Sequence, residues 1–96
     1  MILSFGQEAA EDIFHGANTK EARSVPVMLW PAVRRKLDML NAAHDLRDVM
    51  APPGNRLEIL RGKWKGRHSI RVNDQYRIVF VFQEGNVSDV RVVDYH

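Results

Sequence analysis

The sequence predicts an α+β fold: an antiparallel sheet of about four to five strands, with two N-terminal helices packed on one face. Three observations carry this. Apolar residues recur at helical spacing only in the first half, and from Leu57 onward their period changes to two. The alternating runs are joined by connections of only a few residues, which makes neighbouring strands antiparallel. The chain has 96 residues, enough for one modest core, so residues 1–96 read as a single domain.

The elements follow in order. "ILSF" at residues 2–5 is a candidate short first strand. Ser4 and Gln7 have the spacing of a capping box. A first helix then runs to about His15, with Phe5, Ala9, Ile13 and Phe14 broadly on one side, and Gly16 and Asn18 end it. The second helix carries Leu29, Val33, Leu37 and Leu40 at helical spacing, with Pro31 tolerated only near its first turn. It fades at residues 41–44, and "HDLRDVMAPPGNR" reads as a connection whose strongest turn signal is Pro52-Pro53-Gly54-Asn55. The strands "LEIL", "RHSIRV", "YRIVFVF" and "VSDVRVV" follow, joined by "GKWKG", "NDQ" and "EGN". Loop length sets which side chains share a face. With "NDQ" and "EGN" as three-residue loops, Ile70, Val72, Tyr76, Ile78, Phe80, Val90 and Val92 form one apolar face for the helices to cover. Two-residue loops would bury Arg71, or Asp89 and Arg91, which is costly for unpaired charges. The other face is expected to be open, carrying Arg67, Ser69, Arg71, Arg77, Arg91 and Tyr95 with Val79 and Val81.

Composition narrows the function. Hydrophobic residues are 45% and charged residues 27%, which excludes a disordered chain. With no cysteine, disulfides, thiolate nucleophiles and cysteine-ligated zinc are excluded, and a reducing cytoplasm suits the chain. No basic region precedes a long apolar run and no stretch approaches ~20 apolar residues, so neither a signal peptide nor a membrane partner is expected. Residues 56–77 hold seven basic and two acidic residues, and the remainder is net negative. Such a stripe is an electrostatic footprint for a polyanion, the alternative being a solvated hairpin with no partner. His15, His44 and His68 read as ordinary structural residues, and no HExxH-like pattern is present, so no metal and no cofactor are expected. "GKWKG" lacks the form of a phosphate-binding P-loop and reads as a hairpin turn. The chain stops at "VVDYH", with a carboxylate, a phenol and an imidazole on its last three residues.

The run "PPGNRLEILRGKWKGRHSIRVNDQYRIVFVFQEGNVSDVRVVDYH" resembles the HigB branch of the RelE/ParE toxin superfamily, closely over about the last 45 residues and in layout over the helical part. The resemblance implies the RelE-like microbial RNase fold. It implies an mRNA interferase that cuts messenger RNA in a translating ribosome without a metal. It also implies a HigA-like helix-turn-helix antitoxin as partner, through which alone operator DNA would be met. The family's active-site arginine falls on Arg77, and its terminal Asp-Tyr-His on Asp94, Tyr95 and His96. A lysine of several members is Arg61 here, which keeps the charge. A histidine three residues before it in some members is Glu58 here: either Glu58 serves as a base, or that role is lost.

These residue types suit metal-free RNA cleavage. A base must take the ribose 2′-hydroxyl proton, an acid must serve the leaving 5′-oxygen, and cations must meet the charge growing on the phosphoryl oxygens. His96 is the candidate for proton transfer, Tyr95 for stacking or holding a ribose, and Asp94 for orienting a neighbour. Arg61, Arg77 and Arg71 are fit for the scissile phosphate, because guanidinium grips phosphate oxygens with a planar fork. Lys63, Lys65 and Arg67 read as RNA or ribosome anchors, with Trp64 stacking on a base or capping the sheet. Trp30, Met28 and Met50 read as core, or else as an antitoxin-facing patch, and Arg34, Arg35 and Lys36 as a solvated helix face. Two other classes stand beside the ribonuclease: a non-cleaving gyrase inhibitor of the ParE kind, and a plain RNA-binding module.

Overall fold

The computed structural model describes residues 1–95. Three α-helices, α1 (Glu8–Phe14), α2 (Trp30–Ala42) and α3 (Leu46–Met50), precede four strands, β1 (Glu58–Ile59), β2 (His68–Arg71), β3 (Tyr76–Gln83) and β4 (Asn86–Asp94). The strands pair antiparallel in the order β1-β2-β3-β4. Ala9, Ala10 and Ile13 of α1 and Val33, Leu37 and Leu40 of α2 share one buried core with Ile70, Ile78, Phe80, Val87, Val90 and Val92 of the sheet. Burial of side chains such as these is worth about 1.5–3 kcal/mol each, which fixes the helices to that face. Pro31 lies in the first turn of α2, where its missing N–H breaks no helical bond.

Five expectations need correction. Residues 2–5 do not form a full strand. They run beside β4 in two isolated parallel bridges, Ile2 with Val87 and Phe5 with Val90. Ser4 and Gln7 form no capping box. The Asp89 amide donates to Ser4 Oγ at 2.9 Å, and Gln7 exchanges two bonds with the Val92 backbone, at 2.9 and 3.1 Å. Both side chains therefore serve the sheet edge, and α1 begins at Glu8 with no side-chain cap. The stretch after α2 is not only connection, since α3 forms there with Asp45 and Asp48 as a reciprocal capping box. Met28 and Met50 are exposed, Met28 in the turn ahead of α2 and Met50 at the end of α3, where neither helix presents its inward stripe. Lys36 is not simply solvated, because its Nζ donates to Asn55 Oδ1 at 2.6 Å.

The sheet register has its own correction. "NDQ" is a three-residue loop, since Val72 N–H donates to Tyr76 O at 2.9 Å. "EGN" is not: Gln83 pairs with Asn86 across the two residues Glu84 and Gly85, both at positive φ, as a tight hairpin turn requires. A two-residue turn alone would put Asp89 and Arg91 in the core. A bulge prevents this: Val81 pairs with Ser88 but Val79 with Arg91, and Asp89 sits at φ 52° in the extra position. Parity is restored, so Val90 and Val92 still face the helices.

Candidate functional site

The face away from the helices is not the open arginine surface expected. Ser69, Val79 and Arg77 are all buried on it, Arg77 at 7% exposure. The connection between β1 and β2 turns Trp64 onto this side, where the guanidiniums of Arg67 and Arg91 lie 5.4 and 5.9 Å from its ring. Both arginines pair with Asp89. Partial burial pushes the Asp89 carboxyl up, but these two guanidiniums outweigh it and hold the group below the usual carboxylate range. The bulge residue thus locks two arginines into a structural roof.

Beside that roof lies a cleft of about 250 Å³, lined by Arg56, Glu58, Arg71, Asn73, Asp74, Arg77 and Tyr95. Arg77 is its buried centre. Its Nε donates to Ser69 Oγ at 2.8 Å and its Nη2 to the Arg56 carbonyl at 2.6 Å. A guanidinium gripped on two nitrogens cannot swing, so Nη1 is held in place, 3.7 Å from Glu58 Oε1. The Tyr95 ring lies 5.6 Å from the same guanidinium and is 43% exposed, with its own backbone N–H donating to Gln75 O at 2.6 Å. Asn73 shapes the rim: its Oδ1 accepts from the backbone N–H groups of Gln75 and Tyr76, closing the "NDQ" loop. Arg71 pairs with Asp74 across that loop. Behind it, burial first, then Arg35 and Arg71, holds the Lys36 ammonium below its ordinary pKa.

Four of the residues singled out from sequence therefore meet: Glu58, Arg71, Arg77 and Tyr95. Among the described residues, Arg61 and Asp94 are not in the lining, and Asp94 instead accepts from Gln75 Nε2 at 3.0 Å. Lys63 and Lys65 are exposed on the β1–β2 connection. Arg67 is taken by Asp89 and Trp64. His96 lies outside the described residues. Sequence reasoning missed Arg56, Asn73 and Asp74, whose only signal was their place at turns that the strand pattern brackets. The carboxylates of Glu8, Asp12 and Glu21 also come within 4.8 Å of one another on the surface, a grouping that a search for histidine patterns does not detect. No helix is long and apolar enough to cross a membrane, as judged among the described residues.

Comparison with known proteins identifies the family. The chain is 41% identical over 85 residues to Toxin HigB-1 of Vibrio cholerae, an alignment covering 88% of this chain and 87% of that protein. It is 38% identical over 66 residues to an uncharacterized protein of Haemophilus influenzae, covering 69% and 65% of the two chains. Its fold is similar to that in the YoeB-YefM complex from Staphylococcus aureus, with a TM-score of 0.57 at 16% identity over 100% of this chain and 95% of that one. The family model for the RelE-like toxin of the type II toxin-antitoxin system HigB matches residues 3–96, and the chain belongs to that family of toxins.

Proposed function

We propose that this toxin is a ribosome-dependent, metal-free endoribonuclease of messenger RNA, acting in the cytoplasm as a single domain and silenced by a cognate antitoxin. The observation that carries the reading is the cleft itself, where Arg71 and Arg77 stand with Glu58 and Tyr95. The ribose 2′-oxygen attacks the adjacent phosphorus and the bond to the 5′-oxygen breaks. The products are a 2′,3′-cyclic phosphate and a 5′-hydroxyl. Arg77, fixed by Ser69 and the Arg56 carbonyl, meets charge on the phosphoryl oxygens without having to reorganise. Glu58 is suited to take the 2′-hydroxyl proton, and His96 to serve the leaving oxygen. Tyr95 offers a half-exposed ring to a base. Arg61, Lys63 and Lys65 are the cations that hold the RNA or ribosome backbone, and Asp94 steadies the end of β4. In this division Trp64 and Arg67 contribute to RNA binding chiefly by holding the roof beside the cleft.

Family membership supports the antitoxin, and the staphylococcal fold relative was itself solved in a toxin–antitoxin complex. The helix-turn-helix character of that partner, and operator DNA met through it, rest on the family resemblance. The test is to incubate the protein with translating ribosomes and map new mRNA 5′ ends. New ends carrying a 5′-hydroxyl are expected. Translation arrest without new ends would leave a plain RNA binder, and inhibition of gyrase with intact message would leave the ParE-like reading.

A further inference from the structure

Arg56 occupies a backbone conformation that suits its residue type poorly. Its φ is 45° and ψ 57°, the left-handed region that L-residues with long side chains seldom adopt. Among the described residues, three non-glycine residues have positive φ: Arg56, Glu84 and Asp89. Two belong to the β3–β4 pairing. Glu84 begins the tight turn between β3 and β4, and Asp89 is the bulge residue that pairs Arg67 and Arg91. Arg56 ends the 3-10 turn Pro53–Asn55 as its left-handed C-cap, a position where glycine is the usual residue. Gly54 and Asn55, the types best suited to this conformation, stand just before it.

The surroundings hold Arg56 in that conformation. Asn55 is 1% exposed; its Nδ2 donates to the Val49 carbonyl at 2.9 Å, and its Oδ1 accepts from Lys36. The Arg56 N–H donates to Pro53 O, and its carbonyl accepts from Arg77. A glycine could make both main-chain contacts with less strain. What glycine lacks is a charged side chain, at a residue that lines the cleft with Arg71 and Arg77. Arg71 is paired with Asp74, and Arg77 is bonded to Ser69 and Arg56. The Arg56 guanidinium makes no hydrogen bond or ion pair among the described residues, and its side chain is exposed. Backbone strain kept at a residue that lines a cleft and whose cation is unpaired points to use of that side chain.

We propose that Arg56 is a substrate-contacting residue whose guanidinium takes an RNA phosphate in the cleft. This rests on the reading that the cleft receives RNA. The test compares Arg56→Gly and Arg56→Lys with wild type in binding to a short 2′-O-methylated RNA, which lacks the nucleophile, across a salt series. Arg56→Gly should weaken Kd by about 10-fold and flatten the log–log salt slope by about 0.7, the value of one single-strand phosphate contact, with Tm at or above wild type. Arg56→Lys should keep most of the salt slope. Wild-type affinity and slope in Arg56→Gly would overturn the proposal. So would weakened binding with a lowered Tm, which would make Arg56 structural, or a wild-type protein that does not bind the RNA. A wild type that binds the RNA but never cleaves message would refute the nuclease while leaving the result for Arg56 standing.

Discussion

Replacing Arg77 with lysine keeps the charge and removes the fork, which makes it the sharpest perturbation of the cleft. The guanidinium satisfies Ser69 Oγ and the Arg56 carbonyl through separate nitrogens, at 2.8 and 2.6 Å. One ammonium on a flexible stem has its donors on a single nitrogen and cannot meet both partners at the positions the two guanidinium nitrogens hold. A hydrogen bond from a charged donor contributes about 1.5–3 kcal/mol, so losing one predicts a destabilisation of about 2 kcal/mol. For a chain of this size that is a fall in Tm of about 8–16 °C. Circular dichroism on heating measures it directly. Cleavage should fall further than unfolding explains, by about 10²–10³-fold at a temperature where both proteins are folded, because the donors are no longer held in place. Ser69→Ala severs one of the same bonds, so the double variant should lose less stability than the two single losses combined. An Arg77→Lys protein that melts with wild type and cleaves at full rate would refute the view that the fork organises this site.

Three further outcomes are expected. His96→Gln should lower mRNA cleavage by about 10²–10⁴-fold with Tm unchanged, and a variant cleaving at the wild-type rate would remove His96 from the chemistry. Gln7→Ala strips the Val92 backbone of two partners, so a loss of about 1–3 kcal/mol in urea unfolding is expected, with faster amide exchange along β4; unchanged protection would show the edge to be held otherwise. His68 packs against Phe80 with its Nδ1 buried and unpartnered, and burial holds its pKa below 6.5. The unfolded chain then binds the extra proton more readily, so this component of stability is complete above pH 6.5 and is lost as the pH falls below it. Urea midpoints on either side of that value should show the loss in wild type and less of it in His68→Phe, and identical pH slopes would contradict the assignment.

The helical stripes and the change to period two were legible because burial imposes them over many residues. What escaped was set by one residue at a time. The three-residue reading of "EGN" gave the correct buried face for the wrong reason: the missing residue of the loop is supplied by the bulge at Asp89. The burial argument was sensitive to parity and blind to where parity is corrected. The five residues of α3 are too few for periodicity to register, and its Asp45 cap went unread. Of the candidate site, Arg77 and Tyr95 followed from motif and strand alternation. Arg56 did not, because its role depends on a backbone angle that no spacing encodes. Arg67 was assigned to RNA on charge alone, and its partner Asp89 is 22 positions away in sequence.

The pairing of residues 2–6 with β4 bears on the order in which the chain can assemble. Its bonds join positions as far as 85 apart, Gln7 to Val92 and Ser4 to Asp89. Such a closure must overcome the entropy of nearly the whole chain before it is rewarded, which delays it in folding. During synthesis the first residues emerge early and wait without a partner until β4 has left the exit tunnel. Arg77 and Tyr95 arrive late as well, so the cleft is among the last features to be completed. The cleft needs Arg77 of β3 and Tyr95 just past β4, so it is completed only when this long-range closure becomes possible.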